Sequence, residues 1–508
     1  MPPASADTPG DATPACIVTT DIPGTRQNGP MPTPPYERLS FLDTSFLALE
    51  SADTHMHVGT VAIFSGEGLK GEHGGLDFDQ VRRRIEGRLH LVPRYRQRLA
   101  WIPVEQYPVW VDDTHFNLDF HLRHTALPRP GSDAQLQALA GRLMSQRLDR
   151  EKPLWELWFV EGLTDDRFAL VAKVHHCMVD GMAGVDLMSM LLDLSPTEEV
   201  TPAKPWTPRP VPSGAELVVG ETARLARVAV DAAKGLRDGI GGGVRDSLRS
   251  LTGSLSKRTS AMSASLQSGW LSPTTTTPIN ERIGPNRRFT WARIPLDDVK
   301  AVRRAFGVSV NDVLLATVAG ALRRFLRDHR GFDTDGADLR AMVPVSVRAD
   351  QTFGMSSNQV AMWLVHLPVD DADAVSRLRH IQEETTHLKE DRHAEGAAAI
   401  VQASSGTPTR MLSVGLRAAT EMRPFNLTVT NVPGPQFPLF LGTAPMLAAY
   451  PLVPLWQHHG IGIALFSYLG TVHWGIGTDW DLVPDTEVLV ACIDDAFAEL
   501  LDAAGSAA

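Results

Sequence analysis

Cysteine is scarce in this chain of 508 residues, which carries only Cys16, Cys177 and Cys492. Three widely spaced cysteines cannot build a disulfide framework, so we expect the protein to work in a reducing compartment. No cluster of cysteines and histidines has the spacing of a zinc site, and we expect no metal.

Long apolar runs are also missing. Residues 1–35 have neither the basic start nor the apolar segment of a signal peptide, and we expect them to form a disordered leader. The apolar runs at 446–456 and 461–468 are interrupted by proline or glycine, so neither is long enough to cross a bilayer. The sequence therefore predicts a cytoplasmic protein that meets a membrane or lipid droplet only at its surface.

A net positive charge is missing as well, because 48 Lys and Arg residues face 59 Asp and Glu residues and leave a net charge of −11. This balance argues against general nucleic-acid binding. The exception is the segment 201–290, where 13 basic residues against 6 acidic ones give a local balance of +7. Such an island predicts one face for anionic partners.

Part of this basic segment has helical periodicity. Between 217 and 236 an apolar stripe runs beside basic residues: Leu217, Leu225, Val228, Ala232 and Leu236 with Arg224, Arg227, Lys234 and Arg237. This pattern predicts a basic amphipathic helix. Such a helix either packs on the second half of the chain or contacts a membrane or lipid-droplet surface.

Strand and helix patterns occur on both sides of a stretch rich in proline, glycine, serine and threonine. We expect strands at 57–64, 155–161, 168–174, 342–347, 360–367, 426–432, 461–468 and 471–477, and helices at 78–91, 182–194, 299–306 and 311–327. Ser132 and Gln135 predict a capping box for a further helix. The sequence thus predicts an α/β protein with lobes at 36–195 and 286–505, each a mixed sheet with helices, joined by a long crossover at 196–285.

The segment 175–181 reads His-His-Cys-Met-Val-Asp-Gly and stands where an apolar strand ends and a helix is predicted to begin. Neutral imidazole can take the proton of an attacking hydroxyl near neutral pH. No serine lies in a Gly-x-Ser-x-Gly elbow, which weakens a serine-hydrolase interpretation. Cys177 and His176 are neighbours on an extended segment and point to opposite faces, so the thiol is not a candidate nucleophile. On this segment alone, two structural histidines before a helix remain an equal alternative.

The segment 175–181 resembles the active-site motif of the acyl-CoA-dependent acyltransferase superfamily, which includes chloramphenicol acetyltransferase and peptide-synthetase condensation domains. The chain more closely resembles the bacterial wax ester synthase/diacylglycerol acyltransferase family. The matching segments follow the order of that family: Leu-Ser-Phe-Leu-Asp at 39–43, His-Met-His-Val-Gly at 55–59, Asn-Leu-Asp-Phe-His at 117–121, Pro-Leu-Trp at 153–155, Asn-Asp at 311–312, Pro-Val-Ser-Val-Arg at 344–348 and Asn-Val-Pro-Gly-Pro at 431–435. Each motif is weak alone, and their joint order is a strong signal.

The resemblance implies two chloramphenicol-acetyltransferase-like lobes with a substrate tunnel between them. It implies that His176 is the general base, that His175 supports it, and that Asp180 is structural, with Arg348 as our expected partner for Asp180. Further residues are expected to support the site or to line the tunnel: Gly181, Pro153, Trp155, Asn311, Asp312, Asn431, Pro433 and Gly434. Acyl-CoA would be a substrate, and no cofactor is expected.

The implied reaction is transfer of a long-chain acyl group from acyl-CoA to diacylglycerol, to a long-chain alcohol, or to both. Two alternatives stay open: an acyltransferase for another hydroxyl acceptor, such as a polyketide or small alcohol, and a non-catalytic protein that binds lipid droplets. The supporting motifs also have structural explanations. Asn311 could cap the following helix, residues 433–435 could form a rigid turn with no role in the site, and Trp155 could belong to the core.

Overall fold

The computed structural model describes residues 36–507, apart from 73, 104, 180–189, 241–271, 347–359 and 391–420. The strands of the first half are β1 (Glu37–Arg38), β2 (His57–Ser65), β3 (Gln97–Trp101), β4 (Pro108–Asp112), β5 (Leu122–Ala126), β6 (Trp155–Leu163) and β7 (Arg167–His175). Its helices are α1 (Phe41–Leu49), α2 (Phe78–Arg88), α3 (Leu118–His121) and α4 (Asp133–Met144), followed by α5 (Gly214–Ile240).

The second half begins with β8 (Arg287–Pro295) and the helices α6 (Leu296–Phe306) and α7 (Val310–Arg324). The strands that follow are β9 (Leu339–Ser346), β10 (Val360–Leu367), β11 (Leu427–Pro433), β12 (Phe440–Leu441), β13 (Ala444–Leu452), β14 (Ile461–Tyr468) and β15 (Thr471–Asp479). The remaining helices are α8 (Ala374–Glu390) and α9 (Thr486–Ala507).

Two six-stranded mixed sheets organise these elements, which confirms the predicted α/β fold. The first sheet has the order β12-β13-β2-β7-β6-β5, and the second has the order β10-β9-β11-β14-β15-β8. A small sheet, β1-β4-β3, accompanies the first half. Helices α6 to α9 bury their apolar faces with the second sheet in one large core.

The first sheet is completed by the second half of the chain. Strand β13 pairs antiparallel with β2, and β2 pairs antiparallel with β7. A separate cluster of buried side chains includes residues of both halves, such as Val61 and Trp291. Within it, Trp291 of β8 in the second sheet stacks on Tyr450 of β13 in the first sheet, with ring centroids 4.5 Å apart. The halves therefore share both a sheet and a core, and the predicted boundaries between them stay a prediction.

Local sequence signals fixed several element ends. Ser132 and Gln135 form the predicted capping box of α4. Helix α6 ends at Gly307, whose left-handed φ of 67° suits a residue without a Cβ. Strands β10 and β14 cover the predicted residues, and the predicted helix at 182–194 lies mostly outside the described residues.

Among the described helices, no single one has both the length and the apolar character needed to span a bilayer. The bent pair Leu296–Phe306 and Val310–His329, which meet at 100°, passes that test by length and composition.

Candidate active site

His176 lies in the short turn His176–Met178 that directly follows β7. The strand holds the turn still, and two hydrogen bonds fix the backbone of His176 itself. Its N–H donates to the carbonyl oxygen of Met56 at 2.7 Å, and its carbonyl accepts the N–H of Val179 at 3.1 Å. The backbone beneath the ring is therefore positioned by strand β7 and by the segment that leads into β2.

The imidazole of His176 is packed rather than hydrogen-bonded. Its ring stacks on Phe46 with centroids 3.8 Å apart and planes inclined by 19°. The Nδ1 atom is buried and has no hydrogen-bond partner. Burial lowers the pKa of His176 to about 4, although its own backbone carbonyl acts in the opposite direction. The ring is consequently neutral at pH 7, which is the form that can accept a proton.

His175 has a different environment from its neighbour. It is buried, and its Nδ1 accepts the N–H of Cys177 at 3.1 Å. A neutral imidazole that accepts at Nδ1 must carry its proton on Nε2, which lies 3.7 Å from Oε1 of Glu50. His175 therefore links the turn to the end of α1, which agrees with the supporting role implied by the family resemblance.

Glu50 is a residue of this site that the sequence did not reveal. Its side chain is 3% exposed and pairs with the guanidinium of Arg150, whose Nε lies 2.9 Å from Oε2. His57, opposite His175 in the β2–β7 register, has Nε2 3.7 Å from the same carboxylate. Burial alone would raise the pKa of Glu50, but His175 and Arg150 outweigh it and hold the pKa below the usual range. A buried carboxylate therefore anchors the histidine segment.

The Pro-Leu-Trp segment at 153–155 runs beside the histidine segment. The carbonyl oxygen of Leu154 accepts the N–H of His175 at 2.9 Å. Pro153 and Trp155 are both buried, and the indole N–H of Trp155 donates to the carbonyl of Tyr95 at 2.9 Å. Trp155 thus belongs to the core, and its neighbour Leu154 holds the start of the motif.

Asn311 and Asp312 lie in the first turn of α7. Ser309 is the N-cap, and it forms a capping box in which Asp312 accepts the N–H of Ser309 at 2.8 Å. Asp312 is buried and also accepts the hydroxyl of Thr385 at 2.8 Å. The cap is therefore Ser309 and not Asn311, and Asp312 ties α7 to α8.

The segment 431–435 begins in β11, where Asn431 and Pro433 pair in register with Leu465 and Ser467 of β14. Just beyond the strand, the N–H of Gly434 donates to Oγ of Ser467 at 3.2 Å. A Cβ at Gly434 would lie 2.4 Å from the backbone oxygen of Ser467, which explains the glycine by packing alone.

Asp180, Gly181 and Arg348 lie outside the described residues, so their predicted roles and the Asp180–Arg348 pair stay predictions. Burial raises the pKa of the Cys177 thiol well above its ordinary value, which makes it a poor nucleophile. The described part of the chain contains no group of three His, Cys, Asp or Glu side chains that could hold a metal ion.

Two family models match the sequence. The model of the wax ester synthase/diacylglycerol acyltransferase catalytic domain matches residues 39–314, and that of the C-terminal domain of the same proteins matches residues 356–501. Among curated proteins, a putative diacylglycerol O-acyltransferase of Mycobacterium bovis is 32% identical over 91% of this chain and 95% of its own length. A probable diacylglycerol O-acyltransferase of Mycobacterium tuberculosis matches with the same identity and coverage.

Solved structures with the same fold include the wax ester synthase/diacylglycerol acyltransferase from Marinobacter aquaeolei. It is 27% identical, covers 92% of this chain and all of its own chain, and has a TM-score of 0.64. The starter condensation domain of rhizomide synthetase, solved with C8-CoA and Leu-SNAC, is 13% identical, covers 93% of this chain and 95% of its own, and has a TM-score of 0.56. At that identity, the second likeness concerns the fold alone.

Proposed function

The chain belongs to the wax ester synthase/diacylglycerol acyltransferase family, and from this premise we propose that it moves a long-chain acyl group from acyl-CoA to diacylglycerol or to a long-chain alcohol. The observation that carries the proposal is the neutral, packed imidazole of His176 at the end of β7. A protein that only binds lipid would have no need of a base in this position.

In the proposed step, the hydroxyl oxygen of the acceptor attacks the thioester carbonyl while His176 takes the hydroxyl proton. The bond between oxygen and the acyl carbon forms, the carbon–sulfur bond breaks, and the proton passes from the imidazole to the departing thiolate. Because Nδ1 of His176 is buried, Nε2 is the nitrogen that we assign to this transfer. His175 and Glu50 hold the turn without taking part in the proton transfer.

The test is ester formation from palmitoyl-CoA by the purified protein, with diacylglycerol, hexadecanol and short alcohols offered as separate acceptors. His176→Ala should lower kcat roughly 10²- to 10⁴-fold, because a positioned general base contributes about that much. His459→Ala is the matched control, since its ring is buried in the second half and contacts the carbonyl oxygen of Phe425 at 2.7 Å. Near-wild-type turnover by His176→Ala would contradict the mechanism. Turnover of short alcohols alone would favour an acyltransferase for small hydroxyl acceptors.

The acceptors are nearly insoluble in water. We therefore also propose that the enzyme works in the cytoplasm and reaches them by binding a membrane or lipid-droplet surface through α5. The docked face of α5 includes Leu217, which is buried with Ile102, Val109 and Val111 of the first half. This contact differs from the expected packing on the second half, and it turns another face of the helix outward.

The outward face of α5 includes a second apolar stripe. Val219, Ala223, Ala226 and Val230 are exposed and recur at helical spacing, with the side chain of Val219 among the most exposed apolar groups. Arg227 is exposed next to this stripe. Apolar contact together with a basic neighbour is the combination that favours reversible binding to anionic lipid.

A further inference from the structure

At Nδ1, the ring of His176 lacks the hydrogen bond that orients the ring of His175. Nδ1 of His175 accepts the N–H of Cys177 at 3.1 Å, and its Nε2 faces the Glu50 carboxylate at 3.7 Å. The buried Nδ1 of His176 has no hydrogen-bond partner, so no polar contact at that atom fixes the rotation of the ring. Packing against a flat, immobile surface is then the remaining means of holding it.

Phe46 supplies that surface. It is 4% exposed, its ring lies 3.8 Å from that of His176, and its other ring neighbour is Trp456, with centroids 6.5 Å apart. Phe46 and Glu50 are four residues apart, so they lie on the same side of α1. The backbone N–H of Glu50 donates to the carbonyl of Phe46 at 3.1 Å, which locks the two residues together.

We propose that α1 positions both histidines of the motif, and that Phe46 is the positioning residue for the His176 ring. This inference rests on the proposed function of His176. A flat ring at 3.8 Å restricts rotation of the imidazole and keeps water from its buried face. A smaller or branched side chain would leave space in which the base can turn away from the acceptor hydroxyl.

The test compares Phe46→Leu with Phe64→Leu. Phe64 is a matched control because it is also a buried phenylalanine of the same core and stacks on Phe168 instead of on a histidine. Phe46→Leu should lower kcat roughly 10- to 100-fold with little change in KM for acyl-CoA, as expected for a misplaced reacting group. It should also shift the acidic limb of the pH–rate profile to higher pH, because water that reaches the imidazole stabilises its protonated form. Phe46→Tyr, which retains a flat ring, should restore most of the rate.

Phe64→Leu should lower the melting temperature without changing kcat or the pH profile. Equal kinetic effects of Phe46→Leu and Phe64→Leu would reduce Phe46 to a packing residue, and an unchanged pH limb in Phe46→Leu would overturn the inference. If His176→Ala stays active, the proposed base is wrong. If His176→Ala is inactive while Phe46→Leu behaves as wild type, only the positioning role is wrong.

A separate observation concerns the outer part of the second half. A pocket of about 140 Å³ lies at the end of α7, against α8 and α9. It is lined by arginines, two acidic residues and two small residues: Arg323, Arg324, Arg327, Arg377, Asp328, Glu499, Gly320 and Ala372. Four guanidinium groups against two carboxylates leave this pocket positive on a protein whose net charge is −11.

The guanidinium groups of the pocket are partly paired. Arg323 donates to the carbonyl oxygens of Val369 and Asp370 at 2.8 and 3.1 Å, and Arg327 lies 3.8 Å from a carboxylate oxygen of Asp335. Arg324 and Arg377 share one oxygen of Glu499, at 3.2 and 2.8 Å. Their Nε atoms are buried without a hydrogen-bond partner, and the side chain of Arg377 is 2% exposed. Buried donors without acceptors are costly. The side chains of Arg324 and Arg327 are 36% and 51% exposed, so their terminal nitrogens are the groups that an added anion can reach.

The backbone is also unusual here. Helix α7 continues into the π-helical turn Phe325–His329, which brings Arg327 and Asp328 to the pocket, and such turns occur frequently at functional sites. A Cβ at Gly320 would lie 3.0 Å from a terminal nitrogen of Arg377, so the glycine allows the guanidinium to lie close to α7. The pocket is built around its arginines.

From these contacts we infer an anion site for a phosphate monoester, the group that several guanidinium forks bind best. The source of the phosphate is either a free ion or an anionic lipid headgroup. Inorganic phosphate titrated into the full-length protein by calorimetry tests the first source. Flotation with phosphatidic acid vesicles, compared with phosphatidylglycerol vesicles of equal charge density, tests the second.

The variant is Arg324→Gln with Arg327→Gln, which keeps the buried Arg377. Its control is Arg303→Gln with Arg304→Gln, the same charge change on two exposed residues of α6. Loss of phosphate binding, or of the preference for phosphatidic acid, in the first double variant alone would support the site. No phosphate binding together with equal flotation on both lipids would overturn it, as would equal losses in the two double variants.

Discussion

Glu50 is the residue on which the ion pairs around the histidine segment converge. It contacts Arg150, Arg147, His57 and His175 through a side chain that is 3% exposed. A buried charge of this kind stabilises the fold only while its partners remain, because each unpaired ion would have to stay desolvated.

Glu50→Gln should therefore lower the free energy of unfolding by about 3 kcal/mol, since it leaves the Arg150 guanidinium without its carboxylate. It should also reduce kcat, because His175 loses the group that holds it. Denaturant unfolding measures the first effect. Glu86→Gln is the control, as its partly exposed pair with Arg82 is worth about 1 kcal/mol at most. Equal stability of the two variants would contradict the anchoring role.

The sequence revealed the histidines of this site but not their supports. His175 and His176 stand in a short motif, and its family resemblance, with the other motifs in family order, predicted the base. Glu50 and Phe46 lie far earlier in the chain and reach the motif only because α1 is folded against the turn after β7. A carboxylate and a phenylalanine in a helix are ordinary residues by composition, and only the tertiary contact gives them their role.

At the scale of elements, α7 shows how a cap can be assigned to the wrong residue. Asn311 suits an N-cap, but Ser309 precedes it and has Asp312 at the reciprocal position. Ser309→Ala should cost about 1 kcal/mol of unfolding free energy, the usual value for a lost cap, whereas Asn311→Ala should cost clearly less. Thermal melting of both variants decides the assignment, and a larger loss in Asn311→Ala would reverse it.

The structure of α5 separates the docked face from the exposed stripe, so a lipid-binding experiment can alter the exposed stripe alone. Arg224 pairs with Glu221, so replacing it would disturb the docked face. Val219→Asn with Val230→Asn instead alters the exposed stripe, and this pair should reduce flotation on anionic vesicles several-fold, with a further fall as salt is added. Val211→Asn, an exposed valine before the helix, is the control. Unchanged flotation of the double variant would show that lipid access lies elsewhere.

Strand prediction succeeded at β14, whose apolar run contains no proline, and failed at β13. Strand β14 covers the predicted residues, whereas β13 contains Pro445 and Pro451 and carries a register shift between Met446 and Ala448. Proline removes a ladder donor and therefore argues against a strand in any pattern-based prediction. Its partner β2 was predicted, but nothing local could indicate that β13 would join it.

At the scale of the whole molecule, buried histidines make the fold sensitive to acid. Burial is the main cause that lowers the pKa values of His121, His176, His459 and His473 to about 4. Their unfolded pKa is near 6.5, so the unfolded chain binds more protons between these values. Stability is therefore complete above pH 6.5 and falls as the pH drops toward 4.

Each of these histidines contributes up to about 3 kcal/mol to that loss, at 1.36 kcal/mol per pKa unit. The carboxylate of Glu50, whose pKa is depressed, would lose its contribution only below its unfolded pKa, after the histidines have acted. Melting temperatures measured from pH 8 to 5 should start to fall near pH 6.5. A flat curve over that range would contradict the assignment of neutral, buried rings.

The pairing of β13 with β2 means that the first sheet can be completed only late in synthesis of the chain. Strands β2 and β7 leave the ribosome long before residues 444–452 exist, and at about 5–20 residues per second the interval is on the order of tens of seconds. During that time β2 is an open edge with unpaired N–H and C=O groups and with apolar side chains such as Val61 and Ile63. The nascent first half therefore needs protection from aggregation until its last strand arrives, and a separated N-terminal fragment would keep that edge open permanently.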